Sequence, residues 1–98
     1  MTRKFVVATD TMAESDVKEL QSYLTGHGWW KWLPSFWLIA DTTEELTAES
    51  IRDKIHELDR TVRAWVFEVE PKTFAALTRQ DSKGRDGVDW VRNNFMEE

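Results

Sequence analysis

Two stretches of this chain read alike. KFVVATDT (residues 4–11) and SFWLIADT (residues 35–42) match Phe5 to Phe36, Asp10 to Asp41 and Thr11 to Thr42, with apolar residues between. Each is followed by a polar, helix-like segment and then by another apolar run. A strand–helix–strand unit used twice is not a solenoid, but it is the imprint of a pseudo-twofold α+β sandwich. The chain has 98 residues, the length of one domain with one core.

The segments between the strands carry helical punctuation. Val17, Leu20 and Leu24 fall at helical spacing, Glu14 precedes Lys18 by one turn, and Gly26 is placed to stop the helix. In the second unit Thr47 is the expected N-cap, Ile51, Ile55 and Leu58 form one stripe, and the charges take the opposite side. Residues 29–33 and 62–69 supply the second and fourth strands, and Leu33-Pro34-Ser35-Phe36 places a hairpin where proline does no harm to a ladder. The expected fold is a ferredoxin-like βαββαβ sandwich with a four-stranded antiparallel sheet over residues 1–70. The usual closure of such a chain sets the first and third strands side by side and parallel at the sheet centre, with right-handed crossovers. Asp10 and Asp41 would then share one edge.

Strand residues alternate between faces, so a sheet covered on one side reads apolar, polar, apolar. This chain does not. Phe36, Leu38 and Ala40 oppose Trp37 and Ile39; Phe5 and Val7 oppose Val6 and Ala8; Val62, Ala64 and Val66 oppose Trp65, Phe67 and Val69. Two helices cover one face, which leaves the other as an apolar patch too large for a monomer to expose. A second copy, the chain's own tail or a foreign partner such as a stacked nucleobase would have to sit on it. Four of the six tryptophans lie between residues 29 and 37, and interior and interface packing is the expected use of such side chains. The expected assembly is a homodimer through the open sheet face, with Trp37, Ile39, Trp65 and Phe67 at the interface.

Residues 71–98 form a tail that docks on the domain or on a partner subunit. KTFAALTRQ is expected to form a short helix with Phe74 and Leu77 inward, DSKGRDG a loop, and VDWVRNNF a helix with Val88, Val91 and Phe95 on one stripe and Trp90 beside it.

The balance of charge narrows the functions. The chain carries 13 Lys and Arg against 18 Asp and Glu, a net −5, and no basic cluster of the kind a phosphate backbone demands. Nucleic-acid binding is therefore disfavoured. With no cysteine, thiolate chemistry and cysteine-ligated zinc drop out, and the cytoplasm is the expected compartment. The apolar run after Lys4 is too short for a signal peptide or a membrane span.

Taken together, the strand ending in Asp10, the turn and strand PSFWLIADT, the helix opening TAESIRDKI and the strand VRAWVFEVE resemble the small ferredoxin-like subunit of CRISPR adaptation. They look closer still to its stand-alone SinR-like relatives, which share a fold with the ghost-type antitoxin endoribonuclease. The resemblance covers residues 4–70. It implies subunits paired through their sheets, often with a C-terminal strand added to the partner. It also implies, for some members, a metal-dependent nuclease using the Asp at the end of the first strand, a role that falls here on Asp10.

Two function classes follow. One is a non-catalytic, homodimeric interaction module without a cofactor, with a further protein partner open. The other is a metal-dependent endoribonuclease in which Asp10, with Asp41 or a symmetry mate of Asp10, holds Mg²⁺ or Mn²⁺. A third, nucleic-acid binding without cleavage, would use the aromatic residues as stacking platforms. Against the metal role stands a plainer one, in which Asp10 and Asp41, each with its following Thr, cap the next helix. His27 reads as a loop histidine and His56 as a surface one.

Overall fold

The structure, a computed structural model, describes residues 2–77 and 87–96. In chain order it contains β1 (Arg3–Thr9), α1 (Glu14–Leu24), β2 (Trp29–Leu33), β3 (Phe36–Asp41), α2 (Ala48–Leu58), β4 (Ala64–Glu68) and α3 (Gly87–Trp90), which runs on into a π-helical turn (Val91–Phe95). The strands form one antiparallel sheet in the order β2-β3-β1-β4. This is the ferredoxin-like α+β sandwich expected from the repeat.

One expectation about the sheet is corrected. β1 and β3 are neighbours at the centre, but they run antiparallel, with Arg3 opposite Asp41 and Ala8 opposite Phe36. The connection through α1 returns the chain in the direction of β1, and the tight turn at Pro34–Ser35 then reverses it, so β3 must oppose β1. Asp10 and Asp41 therefore lie at opposite ends of the sheet rather than at one edge.

Each helix is positioned by its own sequence. Leu20 and Leu24 of α1 are buried, and the chain leaves the helix through Gly26 at φ 89°. In α2 a reciprocal cap closes the first turn: the Ser50 amide donates to Thr47 Oγ1 and the Thr47 amide to Ser50 Oγ, both at 2.9 Å. Ile51 and Ile55 then point at the sheet. Phe5, Val7, Trp37 and Ile39 rise from the strands to meet them, forming the main core with Leu20, Leu24, Met12 and Leu46. Burial of each large apolar side chain there is worth about 1.5–3 kcal/mol.

A second, smaller core lies on the other face. Val91 and Phe95 of the tail pack on Leu38 and Ala40. Residues 87–96 thus pack on their own chain. Residues 72–77 carry no regular structure in place of the expected short helix. The remainder of that helix and most of the expected loop lie outside the described residues.

Candidate functional site

The sheet register assigns the faces. Val7 stands opposite Trp37 and Val66, and Phe5 opposite Ile39, on the side that the helices cover. Val6 stands opposite Leu38 and Phe67, and Ala8 opposite Phe36 and Trp65, on the other side. Trp37 and Ile39, expected at a subunit interface, are 1% and 0% exposed in the main core; that assignment is corrected, because their parity places them under α1 and α2. Trp65 and Phe67 do lie on the open face, 63% and 53% exposed.

The tail covers only part of that face. Trp90 stacks on Trp30 with centroids 6.2 Å apart, and Trp32 packs against the same cluster. Gly87 seats the helix: a Cβ there would lie 2.7 Å from Trp30 Nε1 and 3.0 Å from Trp32 Cζ3. These contacts hold the tail over β2 and β3. On the β4 side Trp65 and Phe67 rest against each other at 5.5 Å, beside the exposed Ala8. An uncovered aromatic shelf remains.

Asp10 lies just past β1, where its backbone meets the residue preceding β4. Arg63 clamps it: Nε donates to Oδ2 and Nη2 to Oδ1, both at 3.0 Å, and the Arg63 amide donates to Oδ2 at 2.9 Å. The Arg63 side chain and amide hold the Asp10 carboxyl below its usual range. Both oxygens expected to hold a cation therefore already face one. Asp10 does not cap α1 either, since the N-cap is Ala13, without a side-chain bond.

Asp41 has a different setting. It is fully buried, and it accepts from the Thr43 hydroxyl at 2.7 Å, the Leu46 amide at 2.8 Å and the Thr43 amide at 3.0 Å. His27 Nδ1 lies 3.0 Å from Asp41 Oδ1 and 3.2 Å from Thr43 Oγ1; a carboxylate only accepts, so Nδ1 carries the proton. Burial pushes the Asp41 carboxyl up, but bonds from the Thr43 hydroxyl, the Leu46 amide, His27 and the Thr43 amide outweigh it and hold it at about 2. Asp41 braces the loop before α2, and Thr47 does the capping. By strand rise the two aspartates stand on the order of 20 Å apart with β1 between them, so within one chain they do not converge. Among the described residues no group of three or more His, Asp or Glu side chains is gathered as a metal would need.

The sequence reading missed Arg63 as the partner of Asp10 and His27 as the partner of Asp41. Antiparallel pairing of β4 with β1 was the available signal for the first, since it sets the start of one strand beside the end of the other. A groove at the opposite end of β1 mixes Arg3, Lys4 and Lys72 with Glu44, Glu68 and Glu70, a balance of signs that favours neither anion nor cation. No described helix is long and apolar enough to cross a membrane. Set against protein-family models, curated proteins and solved structures, the chain matches none.

Proposed function

We propose that this protein is a non-catalytic, homodimeric interaction module acting in the cytoplasm, of the kind that the resemblance to the CRISPR adaptation subunit and its SinR-like relatives implies. One observation carries the reading: Trp65 and Phe67 lie side by side and more than half exposed on the last strand of the sheet, while Val91 and Phe95 of the tail pack on Leu38 and Ala40 elsewhere on that face. With a little over half of each side chain in water, roughly half of the about 1.5–3 kcal/mol that full burial would bring is forgone, and such a shelf is the usual mark of a binding surface. The Arg63 clamp on Asp10 speaks for the same side, because a nuclease role for Asp10 would first have to break it.

Native mass in solution tests this directly. The wild-type chain is expected at twice 11.6 kDa, and Trp65→Glu at the mass of one chain with an unchanged circular dichroism spectrum. A wild-type protein that stays at 11.6 kDa at high micromolar concentration removes the homodimer.

A further inference from the structure

Among the described residues β4 is the end strand of the sheet, next to β1 alone. Its bonds to β1 follow a fixed alternation: the Asp10 amide donates to the Arg63 carbonyl at 2.9 Å, and the Val69 amide to the Lys4 carbonyl at 2.8 Å. The register between those two bonds is unbroken, so Arg63, Trp65, Phe67 and Val69 turn their peptide groups toward β1. Ala64, Val66 and Glu68 turn theirs outward.

Natural sheets blunt such edges with lysine, proline or a bulge. The opposite edge is blunted in all three ways, since β2 carries the exposed Lys31, a register shift between Lys31 and Leu33, and Pro34 just beyond. β4 has none of these. Its stretch Ala64-Trp65-Val66-Phe67 is uncharged, regular and, among the described residues, paired on one side only.

We infer that two copies join β4 to β4, antiparallel, about a two-fold axis normal to the sheet that passes midway between the two copies of Val66. The inference rests on the homodimer reading above and moves its joint from the open face to the sheet edge that carries Trp65 and Phe67. An axis normal to the sheet keeps both helix layers on one side, and facing residues then share a face, so one residue must face its own copy across the axis. Centring on Val66 pairs it with the partner's Val66, Ala64 with the partner's Glu68, and Glu68 with the partner's Ala64. Every outward peptide group of the strand is then matched. Centring on Trp65 or on Phe67 would leave Glu68 or Ala64 unmatched.

Side chains fit the same register. Trp65 falls opposite the partner's Phe67 in a pair without backbone bonds, the kind that brings side chains closest. The two shelves become one aromatic strip across the joint. Val66 alone faces its own copy, so no charge meets itself, and Glu68 keeps its two bonds from Arg3 at 2.8 and 3.0 Å.

Cross-linking tests the register, because the chain lacks cysteine and every introduced thiol is unique. Facing residues of this pair type have Cα atoms about 5.5 Å apart, within the range a disulfide spans. Under mild oxidation the full-length Val66→Cys chain is expected to become a covalent dimer. Ala64→Cys alone and Glu68→Cys alone should stay single on a denaturing gel, while a mixture of the two should couple. A native dimer whose Val66→Cys form stays unlinked, or whose Ala64→Cys form links to itself as fast, overturns this geometry and leaves the homodimer standing. A native monomer in every variant overturns both.

Discussion

His27 closes over Asp41: an imidazole 17% exposed holds, at 3.0 Å, a carboxylate with no exposure of its own. The pair ties the loop after α1 to the end of β3, and it makes the fold acid-sensitive in a defined window. The folded Asp41 carboxyl, at about 2, lies below the roughly 3.9 of an unfolded aspartate. Its contribution, about 2 kcal/mol, is fully present above pH 4 or so and is lost as pH falls toward 2. Urea unfolding at pH 7, 4, 3 and 2 is expected to show a steeper decline between the last three for wild type than for Asp41→Asn. Parallel declines would contradict it.

Gly28 is the hinge that lets His27 reach. Its φ of 75° favours glycine, and a Cβ would lie 2.5 Å from the carbonyl oxygen of Ala40. Gly28→Ala is expected to lose on the order of 1–3 kcal/mol, read as a lower urea midpoint with the slope unchanged. Gly26→Ala, where a Cβ meets nothing within 4 Å, should lose less, because only the backbone term remains.

Gly87→Ala should unseat the tail rather than unfold the domain. The added methyl meets Trp30 and Trp32, and the small core of Val91, Phe95, Leu38 and Ala40 opens. Limited proteolysis is the measurement: faster cleavage within residues 71–98, with a resistant fragment of residues 1–70. Loss of the whole domain at once would show that the tail is part of the cooperative unit.

Ile39 and Trp65 separate core from surface. Ile39→Ala is expected to cost about 2–5 kcal/mol, as buried aliphatic truncations do, without changing the native mass of the folded fraction. Trp65→Ala should alter the native mass and leave the thermal midpoint of the monomer nearly unchanged. If Ile39→Ala dissociated the assembly at constant stability, the face assignment would be wrong.

Asp10→Ala bears on catalysis. Incubation of either protein with single-stranded RNA and Mg²⁺ or Mn²⁺ is expected to leave the RNA intact. Cleavage by wild type that the variant lacks would reinstate the nuclease reading.

Much of the fold was legible in the sequence because the repeat, the helix stripes and Pro34 act locally. The order of elements, the Thr47 cap and the hairpin all belong to that class. Parity along each strand was legible too: Trp37 and Ile39 do share a face, opposite Leu38 and Ala40. Which face the helices cover was not, since both sets are apolar and only the cross-strand register separates them. The direction of β3 went astray for a related reason, and with it the expectation that Asp10 and Asp41 would meet. The Phe74–Leu77 spacing of KTFAALTRQ reads as a short helix, but a helix so short lacks the cooperativity to persist without packing, and Leu77 is 94% exposed. Side-chain partners such as Arg63 and His27 follow from register and are invisible until it is known.

The indoles occupy three distinct layers: Trp29 and Trp37 touch beneath the helices, Trp30 and Trp90 stack under the tail, and Trp65 stands in the open. Their fluorescence therefore reports separate events on one molecule. Quenching by iodide reads the outer ring, an emission shift from the stacked pair reads lifting of the tail, and the innermost pair answers only to global melting. Replacing tryptophans by phenylalanine one at a time would turn this small protein into its own calibrated optical sensor.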